Sequence, residues 1–249
     1  MSVSLLNTTQ IAALTTTTIA SLTSTELRSL SSTQMGAITT EQIPAFSATQ
    51  IASLGTTQVV GISTTALVEL SSTQLVALTS TNIGRLSTTQ VEALTTSQVG
   101  ELTTSWVRAL TSSQITALST TQIGALASTQ VGALTTTQIR GFETTDIAAM
   151  TSDQVLGLTS GQLTALTTTQ LGSIETTDLA VLTTTQLRGL TSAQIAGLTS
   201  DQVGALTETQ LGGLTTTQIR GLETADVATL TTTQIGGLVS TQMRGFSTA

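Results

Sequence analysis

The sequence predicts an all-α solenoid, a superhelix of very short helices with one helix in each eight-residue repeat. Every eighth residue from Leu6 to Phe246 is apolar, without an insertion or deletion across 31 positions. A second apolar position runs from Ile11 to Met243 at the same period, and a Ser or Thr followed three residues later by Gln recurs before it. The repeat approximates TTTQIGAL, and we number its positions 1 to 8 in that order.

Positions 1 to 4 carry a signal for the start of a helix. In the repeat that begins at Ser119, Ser119 is predicted to be the N-cap and Gln122 the third helical residue. This is a capping box, in which the hydroxyl and the Gln side chain each accept from the other residue's backbone N–H. Leu118 and Ile123 flank it as a hydrophobic staple. Position 1 is Ser or Thr in 24 of 31 repeats and position 4 is Gln in 22 of 30, so a helix is expected to start in nearly every repeat.

Positions 6 and 7 carry the signal for the end of each helix. Eighteen of the 20 Gly residues lie there, where a chain leaving a short helix needs a residue that tolerates positive φ. Eleven of the 14 acidic residues occupy positions 1 to 4, and all seven Arg occupy positions 6 or 7. The helix dipole favours that arrangement. Each repeat is therefore predicted to hold a helix of one to one and a half turns.

Two other backbone arrangements were weighed against the short helices. A β-solenoid is the alternative that stays open, because Thr-rich repeats and a ladder of Gln are also typical of strands. Against it, the apolar positions alternate at spacings of five and three, which places neighbours on opposite faces of a strand unless each repeat contains a turn. One continuous helix is excluded, because eight residues rotate the apolar stripe by about 80° around the helix.

Helices this short are unstable alone, so the Leu and Ile side chains must pack against neighbouring repeats. We expect two to three repeats in each coil. The multiples of 16 residues that separate Arg28, Arg108, Arg140, Arg188 and Arg220 favour two. Residues 1–249 are thus predicted to form one elongated solenoid domain of about thirty repeats without distinct capping repeats.

The composition excludes several classes of function. The chain has no His and no Cys, so the commonest general base, the thiol nucleophile and the nitrogen and sulfur metal ligands are absent. We therefore expect no enzymatic activity, no catalytic residue and no cofactor. The net charge of −7, with seven Arg as the only basic side chains, offers no basic patch and argues against nucleic-acid binding.

The sequence leaves the compartment open. No apolar run approaches the roughly 18 residues of a membrane-spanning helix, and Met1 to Leu6 lack the basic segment of a cleavable signal peptide. The absence of Cys suits an extracellular or periplasmic protein and is equally compatible with the cytosol. An extracellular or cell-surface setting is slightly preferred.

Three repeats carry Glu at position 1 and Asp at position 4. A spacing of three places both carboxylates on one side of a helix, where stacked copies could coordinate Ca²⁺ through oxygen. The alternative interpretation is variation on a solvated face that the helix dipole favours. The six candidate ligands are Glu143, Asp146, Glu175, Asp178, Glu223 and Asp226.

The rare residue types have structural interpretations. Trp106 stands at position 4 in place of Gln and is interpreted as a local packing variant. Pro44 lies near the end of its repeat and is expected to mark a helix end. Phe46, Phe142 and Phe246 occupy position 8 and are predicted to lie in the core.

The uninterrupted repeats, for example residues 134–142 and 214–222, resemble the Thr-rich short repeats of very long bacterial surface and adhesin-like proteins. The resemblance assigns no site residue. We predict a non-enzymatic structural repeat protein that acts as a surface stalk or spacer, or that assembles into filaments by stacking its uncapped ends head to tail on other copies of itself. The alternative is a binding module whose polar Thr and Gln face holds a ligand, an ion or ice.

Overall fold

The computed structural model describes residues 3–246, which form α-helices and 3₁₀-helices of three to six residues and contain no β-strand within that range. The all-α solenoid prediction is confirmed, and the β-solenoid alternative is wrong. The chain divides into two compact units, Met1–Ala125 and Leu126–Ala249, which are described separately below. The expected single domain over residues 1–249 stays a prediction.

The first unit has one short helix per repeat. Two of its helices are 3₁₀-helices, Val3–Leu5 and Ile43–Ala45, and the second contains Pro44. Its α-helices are α1 Thr8–Ala12, α2 Thr16–Ser21, α3 Ser24–Ser29, α4 Ser32–Gly36, α5 Ala48–Ser53, α6 Thr56–Gly61, α7 Thr64–Leu67, α8 Ser72–Leu75, α9 Ser80–Ile83, α10 Thr88–Glu92, α11 Thr96–Gly100, α12 Thr104–Ala109, α13 Ser112–Thr116 and α14 Thr120–Gly124.

The second unit continues the same pattern. Its α-helices are α15 Ser128–Ala133, α16 Thr136–Ile139, α17 Thr144–Ala148, α18 Ser152–Gly157, α19 Ser160–Ala165, α20 Thr168–Gly172, α21 Thr176–Leu179, α22 Thr184–Arg188, α23 Ser192–Ala196, α24 Ser200–Gly204, α25 Glu208–Gly213, α26 Thr216–Ile219, α27 Thr224–Thr229, α28 Thr232–Gly236 and α29 Ser240–Met243. No helix within residues 3–246 is both long enough and apolar enough to span a membrane.

The helices begin at the predicted caps. The Gln122 backbone N–H donates to the Ser119 hydroxyl at 3.2 Å, and the Ser119 N–H donates to the Gln122 side-chain oxygen at 2.8 Å. Both halves of the capping box are therefore formed. Leu118 and Ile123, the predicted staple, are both buried. The local signal in the sequence thus places the start of each helix correctly.

The two apolar positions form the core. Position 5 is almost completely buried, as Ile123 and Val155 illustrate. Position 8 is buried as well, including Phe46 and Phe142, whereas Phe246 is half-buried. Burying an aliphatic side chain contributes about 1.5–3 kcal/mol. Packing between turns of the coil therefore stabilises helices that are too short to persist alone.

Three repeats, not two, complete one turn of the coil in each unit. Helix α4 packs against α6, three repeats later, and in the second unit α15 packs against α18 and α24 against α27. The expectation of two repeats per coil, which rested on Arg spacings in multiples of 16, is wrong. Arg140 and Arg188 are 48 residues apart, and 48 is also a whole number of 24-residue turns.

Glycine at positions 6 and 7 has a different reason from the predicted one. No described Gly has a positive φ, so these residues are not there for left-handed backbone. They permit close approach between turns. A Cβ added to Gly157 would lie 2.6 Å from the Ser128 carbonyl oxygen of the preceding turn, and one added to Gly221 would lie 2.6 Å from the Ser192 carbonyl oxygen.

Candidate functional site

The position-4 Gln side chain joins two turns of the coil. The Gln162 side-chain oxygen accepts from the Thr159 N–H at 2.7 Å, which completes the start of its own helix. Its Nε2 donates to the carbonyl oxygens of Val131 at 2.8 Å and Leu134 at 2.7 Å in the preceding turn. One side chain therefore satisfies backbone groups at the start of one helix and at the end of another.

This arrangement recurs along both units, and we call it the amide ladder. Each member donates its side-chain N–H to the position-8 carbonyl 28 residues earlier, at 2.6–3.0 Å. The members are Gln34, Gln42, Gln50, Gln58, Gln74, Asn82, Gln90, Gln98, Gln114, Gln122, Gln154, Gln162, Gln170, Gln186, Gln194, Gln202, Gln210, Gln218, Gln234 and Gln242.

The amide ladder corrects the predicted polar Thr and Gln face. The ladder residues are buried, because each amide is directed at backbone carbonyls between turns. The hydroxyl side chains at position 3, such as Thr137 and Thr185, remain exposed. A ligand that lies along the outside of the coil would therefore meet Thr and Ser hydroxyls and not the Gln amides.

Two repeats replace the ladder Gln with a residue that cannot make the same bonds. Ala66 is fully buried and has no side-chain donor. Trp106 is 2% exposed, and its Nε1 is a buried polar atom for which the described residues provide no hydrogen-bond partner. The packing interpretation of Trp106 agrees with its burial. The indole fills the space of the amide and leaves its own donor unsatisfied.

The predicted acid pairs are used for capping and packing. The Glu143 N–H donates to Asp146 Oδ2 at 2.9 Å, and the Glu223 N–H donates to Asp226 Oδ2 at 2.9 Å. The Asp carboxylate in these repeats thus replaces the Gln oxygen of the capping box. It lacks the N–H donors that the amide ladder uses.

Two of the buried aspartates gain a hydroxyl donor from the preceding turn. Ser152 Oγ donates to Asp178 Oδ1 at 2.5 Å, and Ser200 Oγ donates to Asp226 Oδ1 at 2.9 Å. Asp146, Asp178 and Asp226 are buried, whereas their partners Glu143, Glu175 and Glu223 are exposed. Within residues 3–246, no three His, Cys, Asp or Glu side chains are grouped as a metal ion would require. Calcium binding by the six acids stays a prediction.

One carboxyl group has a shifted pKa. The Thr23 backbone N–H donates to Glu26 at 2.9 Å, and the Thr23 hydroxyl donates to the same oxygen at 2.8 Å. These hydrogen bonds, the backbone one foremost, lower the pKa of Glu26 because they favour the charged carboxylate. Glu26 occupies position 4, so its carboxylate acts as a capping group.

An apolar cavity of about 150 Å³ lies in the second unit near α29. Ile219, Leu222, Val227 and Phe246 line it together with Arg220, Thr224 and Gly245. These lining residues include no carboxylate, imidazole or thiol. The cavity can hold a small apolar group but offers no acid–base chemistry.

Comparison with known proteins agrees with this architecture. The sequence model of the ALTTAQ repeat matches eight segments of the chain, residues 19–48, 51–88, 72–104, 107–136, 128–160, 139–174, 171–208 and 208–240. No curated protein matches the chain. The family match extends over most of the length in which the amide ladder is found.

Proposed function

Because the chain belongs to the ALTTAQ repeat family, we propose that it is a non-enzymatic structural repeat protein that serves as an elongated spacer, such as the stalk of a surface protein. The amide ladder is the observation that carries this proposal. It links each turn to the preceding one through buried hydrogen bonds, as at Gln50 and Gln162. A coil whose turns are joined by the same contacts can extend by adding repeats without a new interface.

The polar side chains support the same conclusion. The Gln amides and the position-1 hydroxyls are occupied by backbone groups of the coil, as in the repeat of Thr159 and Gln162. These side chains are therefore committed to structure. The absence of His and Cys from the sequence removes the usual catalytic groups as well.

Small-angle X-ray scattering tests the spacer directly. A globule of 249 residues has a radius of gyration of about 18 Å. We expect a radius well above that value and a distance distribution with a long tail at concentrations where the protein is monomeric. A compact, symmetric distribution with a radius near that of a globule would contradict the proposal.

Head-to-tail assembly is a second candidate, favoured by apolar residues in the last described turn. Ile235 and Met243 occupy position 5, which is buried elsewhere, yet they are 38% and 44% exposed. A second copy that stacks its first turn on this one would cover them. Such a contact is heterologous and does not close, so it produces filaments.

Sedimentation velocity over a range of concentrations tests the assembly. We expect the sedimentation coefficient to rise with concentration and Ile235→Ser to reduce that rise. Val60→Ser, at an apolar residue that is 48% exposed in the first unit, is the matched control and should leave it unchanged. A constant monomer coefficient for all three proteins would refute the assembly and leave the spacer intact.

A further inference from the structure

The charges of the second unit are segregated among its helix stacks. Helices three repeats apart pack in consecutive turns, so α15, α18, α21, α24 and α27 form one stack, which we call the acidic stack. Its repeats contain no Arg, because Arg140, Arg188, Arg220 and Arg244 all belong to repeats of the other two stacks. The acidic residues of the acidic stack are Asp153, Glu175, Asp178, Asp201, Glu223 and Asp226.

Four of these six acids face solvent. Asp153, Glu175, Asp201 and Glu223 are exposed, whereas Asp178 and Asp226 are buried and accept hydrogen bonds from Ser152 and Ser200. The exposed carboxylates come from four consecutive turns. With packed helices about 8–10 Å apart, they form a row of negative charge that no basic side chain of the same stack neutralises.

The acidic stack also exposes two large apolar side chains. Leu156 is 45% exposed and Val181 is 39% exposed. Leu156 occupies position 6, and Val181 occupies position 7 of the next turn. These two positions are neighbours elsewhere in the unit, since a Cβ added to Gly204 would lie 3.5 Å from the Cβ of Thr229. Leu156 and Val181 therefore form a small apolar patch between Asp153 and Asp201.

We propose that the acidic stack is a docking surface for a basic amphipathic segment of a partner protein. Lys and Arg side chains of the partner pair with the four exposed carboxylates, and an apolar side chain covers Leu156 and Val181. Charge complementarity selects this occupant, because opposite charges steer the encounter and exclude acidic partners. Burial of the apolar patch adds contact energy that is independent of salt. This surface is additional to the spacer role.

Binding of a fluorescent helical peptide with Lys on one side and Leu on the other tests the proposal by anisotropy. We expect saturable binding that weakens as salt is raised. Neutralising the row with D153N/E175Q/D201N/E223Q should weaken binding at least tenfold. L156S/V181S should weaken it several-fold and leave the salt dependence unchanged.

A matched control separates the site from net charge. E41Q/E69Q/E92Q/E208Q removes four exposed carboxylates from other stacks and should change affinity less than twofold. Equal loss in the two quadruple variants, or no saturable binding by the unmodified protein, would overturn the proposal. Self-association of the unmodified protein that the first quadruple variant abolishes would also overturn it, because the occupant would then be a second copy. Scattering by the same variants reports on the spacer independently.

Discussion

The side-chain nitrogen of Gln162 lies 2.7 Å from the carbonyl oxygen of Leu134, 28 residues earlier in the chain. The oxygen of the same side chain accepts from the Thr159 N–H. A single amide thus fixes where one helix starts and which turn of the coil it lies against. Because the donor and the acceptor are used at opposite ends of the amide, neither Glu nor Asp can replace Gln without losing a bond.

Gln162→Glu should destabilise the protein by about 3 kcal/mol, measured by urea denaturation. The carboxylate keeps the bond from Thr159 but places a buried charge against the carbonyl oxygens of Val131 and Leu134. Its pKa in the folded state should be raised. The destabilisation is therefore full above the ordinary pKa of Glu and fades as the pH falls through the raised value, where the protonated acid can donate again.

Gln10→Glu is the matched control for that substitution. Gln10 has the same capping role, because the Asn7 N–H donates to its oxygen at 2.9 Å, but it is exposed. The same chemical change there should alter stability by less than about 0.5 kcal/mol. Similar losses for the two variants would show that capping, and not the link between turns, makes Gln necessary.

The position of each Gly predicts the sign of a Gly-to-Ala substitution. Gly157→Ala should destabilise by about 1–3 kcal/mol, because its Cβ would meet the Ser128 carbonyl oxygen at 2.6 Å. Gly236 has no such neighbour within 4 Å. Gly236→Ala should therefore stabilise its helix by about 0.5–1 kcal/mol. Thermal unfolding followed by circular dichroism would measure both, and a stabilising Gly157→Ala would show that turns can separate freely at this point.

The hydroxyl of Ser200 is expected to stabilise the buried Asp226 carboxylate. Ser200→Ala removes the bond of 2.9 Å and should cost about 1–2 kcal/mol in urea denaturation. Ser192→Ala changes the same repeat position in a different stack, where the residue 26 places later is Gln218 and not Asp. A loss as large in Ser192→Ala would mean that position-2 hydroxyls act through packing alone.

The start of each helix could be predicted from the sequence, because capping is a local interaction. Ser119 and Gln122 are three residues apart, and their bonds depend on no other part of the chain. The apolar positions follow for the same reason, since a strict period assigns each side chain to one face. Helix type, repeat boundaries and core residues were therefore accessible before the coil was known.

The second bond of the Gln could not be predicted in this way, because its acceptor lies 28 residues earlier and depends on the number of repeats per turn. One signal was present in the sequence. A capping box accepts Glu as readily as Gln, and the helix dipole favours Glu, yet Glu26 is the one Glu at position 4. That preference for an amide indicates a required N–H donor. The 16-residue Arg spacing misled because it shares 48 as a multiple with the 24-residue turn.

Disulfide formation between engineered Cys residues tests the three-repeat turn most directly, because the chain has no natural Cys. A Cβ at Gly204 would lie 3.5 Å from that of Thr229, which suits a disulfide. We predict that G204C/T229C oxidises to a cross-linked monomer on a non-reducing gel, whereas G204C/R220C, spaced for a two-repeat turn, stays reduced. Rapid cross-linking of the second pair and none in the first would contradict the coil described here.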